Sequence, residues 1–159
     1  MFIVDAQVHI WGANTPERPW PARYEPHRPV PLGKDELLKE MEAAGVQRAV
    51  IVPPSWEGDR NDLGLAAAAA HPDRFVVMGR LDTDAPDAVE QIANWTRQPG
   101  MKGLRFTFSK PLNWGPLIEG KLDWMWKAIE KAGFPVMIIA PHAQLDRKST
   151  RLNSSHGYI

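Results

Sequence analysis

The sequence predicts an α/β fold in which a parallel β-sheet is covered by helices. Short apolar segments alternate with segments of helical periodicity along most of the 159-residue chain. The apolar segments are nearly continuous runs rather than alternating apolar and polar residues, which is typical of strands buried on both faces. Regular alternation of strand and helix indicates parallel strands joined by helical crossovers.

Five segments are predicted as strands, residues 2–10, 48–53, 75–80, 101–108 and 134–140. In the first of them, Asp5, Gln7 and His9 are spaced by two. Because successive side chains of a strand point to opposite faces, this spacing predicts that the three polar side chains share one face.

Four helices are predicted between the strands, at about 34–44, from Asn61 through 66–70, from 84 to just before Pro99, and over 121–132. Gly45 and Gly133 stand where helices commonly end. Asn61 is a residue type that can cap a helix.

Within the third predicted helix we expect Val89, Ile92 and Ala93 to face inward. Two segments are predicted as loops. Residues 12–33 contain six prolines and should form a long ordered loop, and the segment with Pro111, Asn113 and Gly115 should connect the fourth strand to the last helix.

Composition restricts the partners. Basic and acidic residues number 19 each, so no charge excess favours nucleic acid or an anionic membrane. No apolar run approaches the length of a membrane span, and the N-terminus lacks the pattern of a signal peptide. With no cysteine in the chain, we expect a cytoplasmic protein that acts on a small molecule.

Residues 3–11, Ile-Val-Asp-Ala-Gln-Val-His-Ile-Trp, resemble the opening strand of the amidohydrolase-related family (amidohydrolase 2). Its members begin with Asp-Ala-His-x-His and an aromatic residue, and the resemblance implies a (β/α)8 barrel with its active site at the carboxyl ends of the strands. The two histidines of that motif bind a divalent metal, most often zinc. The resemblance makes His9 the metal-ligand candidate. Gln7, which replaces the first histidine, is a weak candidate because an amide oxygen is a poor zinc ligand.

Residues 103–108, Gly-Leu-Arg-Phe-Thr-Phe, are similar to a strand of the lactonase-like branch of this family. The resemblance makes Arg105 a candidate for binding a substrate carboxylate through two parallel hydrogen bonds. An ion pair with a carboxylate inside the barrel is the structural alternative. Arg80 and Ser55 stand at equivalent strand ends and are weaker substrate-binding candidates, as is Gln7.

The other histidines and the tryptophans have both functional and structural interpretations. His142, just beyond the fifth strand, could replace a family metal ligand or could be a solvent-facing loop residue. His71, at a helix end before Pro72, and His27, in the proline-rich loop, are poor site candidates. Most tryptophans should lie in the core, although the pocket mouth could be lined by Trp11 and Trp20.

The resemblance covers residues 1–145 and implies an incomplete barrel: the first four β/α units and the fifth strand. It implies that the parent protein hydrolyses a lactone or similar carbonyl compound of a small carboxylic or sugar acid, using water activated by a metal or a carboxylate. A decarboxylase of the muconate-semialdehyde type and a non-catalytic binding barrel are the alternatives. The fragment itself should be inactive.

Residues 146–159 have no apolar periodicity. A common sequencing-library adapter translates without a break as residues 146–156. We therefore interpret 146–159 as an adapter-derived tail outside the fold.

Overall fold

The computed structural model describes residues 1–21, 28, 30–108 and 111–140, with side chains undescribed at 111–114. In this part of the chain, five parallel strands form one sheet, in which their spatial order is their order in the sequence. The strands are β1 (Val4–Val8), β2 (Arg48–Ile51), β3 (Phe75–Gly79), β4 (Met101–Thr107) and β5 (Val136–Ile139). The sheet curls into a half-barrel, as expected for an incomplete (β/α)8 barrel.

Helices connect the strands. They are α1 (Lys34–Ala44), α2 (Asp62–Ala70), α3 (Ala88–Asn94), α4 (Pro111–Ile118) and α5 (Asp123–Ala132), with short 3-10 helices at Ser55–Glu57 and Trp95–Arg97. The predicted ends of two helices are confirmed, because Gly45 and Gly133 adopt left-handed conformations with φ of 70° and 72°. Each glycine N–H binds carbonyls of the preceding turn.

The core lies between the sheet and the helices. Alternate residues of the central strands point into it, because side chains alternate along a strand. Those of β2, β3 and β4 are Ala49, Ile51, Phe75, Val77, Leu104 and Phe106. The opposite face of the same strands is the concave side of the half-barrel, and Arg105 belongs to that side.

Three expectations about local structure are wrong: the loop around Pro111, and the inward positions of Val89 and Ala93. Residues 111–118 form helix α4 rather than a loop, and its buried Leu117 contributes to the core. Val89 is 59% exposed and Ala93 is also exposed, because α3 turns a different side inward. That buried side consists of Ala88, Ile92 and the following Trp95, spaced by four and three residues.

The first strand also departs from simple alternation. Asp5 pairs with Ala49 and Val8 pairs with Ile51, so three steps along β1 correspond to two along β2. This irregularity interrupts the face that Asp5 was expected to share with Gln7 and His9. Asp5 is exposed, and its carboxylate accepts a hydrogen bond from the Gln7 backbone N–H at 3.0 Å.

The two outer strands are the least covered part of the described sheet. Val4 in β1 is 49% exposed, and Ile138 and Ile139 in β5 are 37% and 43% exposed. Each outer strand pairs on one side only within the described residues. Among the helices of that part of the chain, none is long and apolar enough to cross a membrane.

Candidate active site

The candidate residues lie at one end of the sheet. Gln7 and His9 lie in and just after β1, Ser55 begins the 3-10 helix after β2, Arg80 directly follows β3, and Arg105 is near the end of β4. Parallel strands place these carboxyl ends on a common edge, which is where barrel enzymes build active sites.

Arg105 and Gln7 meet across the concave side of the half-barrel. The Arg105 Nη1 donates a hydrogen bond of 2.7 Å to the Gln7 Oε1, although the residues are 98 positions apart in sequence. Two strands separate β1 from β4 in the sheet, so this contact requires the sheet to curl. Two candidate residues that are remote in sequence therefore meet in the fold.

Arg105 is a buried cation without an acidic partner in the described part of the chain. It is 5% exposed, and its Nε has no hydrogen-bond acceptor among the described residues. Burial, followed by repulsion from Arg80, lowers the pKa of Arg105 from its usual value. The internal ion pair considered as its structural alternative does not occur there; an uncharged amide takes that place.

Gln7 links Arg105 to His9. Because the Gln7 Oε1 accepts from Arg105, its Nε2 faces the His9 Nε2 at 3.5 Å. The His9 Nδ1 lies 2.6 Å from the Val52 carbonyl oxygen, which can only accept, so Nδ1 carries a proton. The result is a line of polar contacts that runs from β4 through β1 to the end of β2.

The main chain of Arg80 is held by the side chain of Asn61. The Asn61 side chain accepts from the Arg80 N–H at 2.8 Å and donates to the Arg80 carbonyl at 2.9 Å. Asn61 was expected to cap α2, but its side chain makes no capping hydrogen bond because it binds the end of β3. The Arg80 Nε lies 3.8 Å from the Asp59 carboxylate.

The Asp59 carboxyl group lies on the same side of the site. Its pKa is raised, chiefly by burial and to a smaller extent by Asp82, while the positive charge of Arg80 acts in the opposite direction. The site therefore contains two guanidinium groups and a carboxyl group whose charged form is disfavoured by its surroundings.

Aromatic rings line the His9 side of the site. Trp56 packs edge-on against His9 with centroids 6.1 Å apart, and against Trp11 with centroids 5.5 Å apart. Trp11 is 1% exposed, so it supports the site rather than forming its open mouth. Trp20 is partly buried in the loop after β1, and its backbone N–H donates to the Asn14 Oδ1 at 3.0 Å.

Two weaker candidates, Ser55 and His71, take no part in the described interactions among the site residues. The Ser55 side chain makes no hydrogen bond to the candidate residues in the described part of the chain. His71 ends α2 and packs edge-on against Phe75 at 6.0 Å, away from the site residues. His27 and His142 lie outside the described residues, as does the segment 146–159.

Sequence reasoning missed Trp56, Glu57 and Asp59. All three follow the second predicted strand closely, where a barrel places functional side chains, and that position was the available signal. Nothing local in the sequence indicated that Glu57 would be buried or that Trp56 would contact His9.

The described residues do not fit a metal centre. A catalytic zinc site usually takes three protein ligands, and no group of three metal-binding side chains occurs among residues 1–21, 28, 30–108 and 115–140. The Gln7 oxygen is occupied by Arg105, whose positive charge also disfavours a cation nearby. Of the expected ligands, this part of the chain supplies His9 alone.

Residues 4–155 match the sequence model of the family described as Amidohydrolase. The chain belongs to this amidohydrolase family. The matched range includes most of 146–159, so the adapter origin of that segment stays a prediction. Members of the family are generally metal-dependent enzymes.

Two curated relatives of this amidohydrolase chain are lactone hydrolases. An L-fucono-1,5-lactonase from Burkholderia ambifaria is 31% identical over 108 residues, covering 65% of this chain and 36% of the relative. A 4-sulfomuconolactone hydrolase from Hydrogenophaga intermedia is 27% identical over 130 residues, covering 76% and 41%. The chain therefore spans about two-fifths or less of the relatives it matches.

A solved structure shows the same fold. It is a probable 2-pyrone-4,6-dicarboxylic acid hydrolase from Acinetobacter baumannii with citric acid bound. The TM-score is 0.71 at 19% identity, and the match covers 96% of this amidohydrolase chain and 55% of the other. At that identity the likeness establishes the barrel architecture.

Proposed function

We propose that the protein containing this chain hydrolyses a lactone that carries a carboxylate, and that Arg105 binds this carboxylate. The observation that carries the proposal is the burial of Arg105 without an acidic partner among the described residues. A buried charge is costly unless it is paired. A substrate carboxylate would supply the missing pair, with Arg80 adding positive charge nearby.

The chemistry of the two curated relatives supports a lactone as substrate. Water adds to the lactone carbonyl carbon, the ring C–O bond breaks, and the proton lost by water is transferred to the departing ring oxygen. The product is a hydroxy acid. Positioned cations that hold the carboxylate fix the ring relative to the attacking water, and such orientation accounts for a large share of enzymatic rate enhancement.

We place Gln7 beside Arg105 as a second substrate-binding group, with Arg80 on the other side and Ser55 as the weakest member of the set. Because the Gln7 oxygen is bound by Arg105, His9 is the remaining metal-ligand candidate in the described part of the chain. Zinc in the complete protein would therefore need ligands from other segments.

The test uses the gene product at its genomic length and matched pairs of lactones that differ only in a carboxylate. We expect hydrolysis of the acidic lactone, and a fall in kcat/KM of about 10- to 100-fold on Arg105→Lys, because a lysine cannot make the paired hydrogen bonds. The neutral lactone should be affected much less. Equal loss for both lactones would contradict the role of Arg105.

The same samples distinguish the alternatives. Release of carbon dioxide from an aromatic or enol carboxylic acid, without lactone hydrolysis, would identify a decarboxylase. Tight binding of the acidic lactone without turnover would identify a binding barrel. The genomic sequence adds independent support for hydrolysis if it encodes a histidine at the end of the sixth strand and an aspartate at the end of the eighth.

A further inference from the structure

Glu57 is a buried carboxylate at the edge of the site. It is 2% exposed and lies in the 3-10 helix after β2. Its Oε1 accepts a hydrogen bond from the Gly12 N–H at 2.7 Å, and its Oε2 pairs with the Arg18 Nη1. A buried carboxylate needs such partners, because an unpaired one would be neutralised or expelled to solvent.

These contacts join two loops that the sequence separates by about forty residues. Arg18 also pairs with Asp62 at the start of α2. The Arg60 Nη1 donates to the Pro19 carbonyl and to the Glu57 carbonyl, both at 3.3 Å. The loop after β1 is thereby held against the loop after β2 by charged side chains.

The hydrogen bond between Gly12 and Glu57 joins two residues that each follow a site tryptophan. Gly12 follows Trp11, and Glu57 follows Trp56. The two indole rings meet at 5.5 Å and 85°, and Trp56 continues to His9. The hydrogen bond from Gly12 to Glu57 therefore fixes the backbone at both rings of what we name the aromatic wall, Trp11 and Trp56.

Packing at Gly12 supports the same arrangement. A Cβ atom added at Gly12 would lie 2.8 Å from the Arg18 Cδ and 3.2 Å from its Nε. The Arg18 side chain therefore passes directly over this glycine on its way to Glu57. Any larger residue would force the Arg18 side chain to shift.

We infer that Glu57 is a positioning residue that holds the aromatic wall beside His9, so that the wall and the imidazole form one fixed side of the site. Its effect on catalysis rests on the proposed lactone hydrolysis. Its effect on the geometry of the two rings does not depend on that proposal.

The test measures far-ultraviolet circular dichroism of the gene product at its genomic length. Two indoles that are close and steeply inclined couple their transitions and give paired bands of opposite sign. The difference between the wild-type spectrum and the Trp56→Phe spectrum identifies this signal. We expect Glu57→Gln to abolish it, because the neutral amide loses the ion pair with Arg18 and has one acceptor oxygen for the two donors of Gly12 and Arg18, while helix content stays unchanged.

Gly12→Ala provides a second route to the same disruption, since the added Cβ pushes on the Arg18 side chain and leaves Glu57 in place. If Glu57→Gln does not fold, Gly12→Ala decides the outcome. Asp62→Asn is the matched control, because it removes the exposed partner of the same arginine, and it should retain the signal. A wild-type protein without the paired bands, or folded Glu57→Gln and Gly12→Ala proteins that keep them, would overturn the inference.

Kinetics then separate this inference from the proposed function. If the wild-type protein hydrolyses acidic lactones, Glu57→Gln should lower kcat/KM by about 10- to 100-fold through misplacement of the site wall, and Asp62→Asn should not. Loss of the paired bands in a protein that hydrolyses no lactone would leave the inference standing and reject the proposed function. Unchanged kinetics in Glu57→Gln alongside an active wild type would reject the catalytic consequence.

Discussion

Arg105 on β4 donates its hydrogen bond to Gln7 on β1 at 2.7 Å, across the concave side of the curled sheet. In this family's opening motif a histidine stands at the position of Gln7. The replacement changes what the position can bind, since the amide oxygen accepts from a guanidinium group that an imidazole bound to metal would repel.

Arg105→Met should leave the fold intact. The change removes a buried cation that has no acidic partner among the described residues, so we expect the free energy of unfolding to stay within about 1.5 kcal/mol of the wild-type value or to rise. Urea denaturation measures this. Arg105→Ala is the control for lost packing and should be the less stable variant. A large destabilisation by methionine would indicate that the charge itself stabilises the fold.

Gln7→His should strengthen zinc binding. The substitution restores two imidazoles on one strand and removes the acceptor that Arg105 uses, so we expect an affinity increase of at least about tenfold. Competition with a coloured chelator measures it, with Gln7→Asn as the control that keeps an amide. Equal zinc affinity of the wild type and Gln7→His would show that position 7 does not limit metal binding.

Asn61→Ala should destabilise the end of β3. Two hydrogen bonds to the Arg80 main chain are lost and leave partly buried backbone groups unsatisfied, which should cost about 1–3 kcal/mol. Thermal and urea unfolding measure the loss. Asn94→Ala, which removes an exposed contact to Glu90 within its own helix, is the control and should change stability by less than about 0.5 kcal/mol.

Asp59→Asn should stabilise the protein at neutral pH and not at low pH. Because the folded-state pKa of Asp59 is raised, its contribution to stability is complete below the unfolded value and is lost as pH rises through the folded value. The neutral amide avoids that loss. The effect should be small because about half of the side chain is exposed. Parallel melting curves at pH 3 and pH 7 check it, and a stabilisation larger at pH 3 would contradict the assigned direction.

Residues 1–145 expressed alone should associate and unfold without cooperativity. Among the described residues the outer edges of β1 and β5 have no strand partner, and with exposed Val4 and Ile139 they favour pairing between molecules. Light scattering and calorimetry, compared with the gene product at its genomic length, measure this. A cooperative monomer that hydrolyses lactones at the rate of the longer protein would show that the half-barrel is a functional domain in its own right. Deletion of 146–159 should leave these properties unchanged, as expected for a tail outside the fold.

The sequence alone determined the order and type of most elements, because periodicity and terminating glycines are local signals. Helix α1 has the predicted bounds 34–44, and all five strands lie within the predicted segments. The opening motif and the strand around Arg105 together indicated the family, which the match over residues 4–155 shows. Proline content misled the prediction for α4, since tertiary packing of Leu117 outweighs a weak local preference.

Only the tertiary structure decided which side chains meet. The curl of the sheet brings Gln7 to Arg105, and the docking of two loops buries Glu57 against Gly12 and Arg18. Asn61 binds the end of β3 instead of capping α2, because a partner nineteen residues away offers it two hydrogen bonds. Such contacts depend on distances between segments remote in sequence, which hydrophobic periodicity does not encode, since it specifies which face of an element is buried and not what lies opposite.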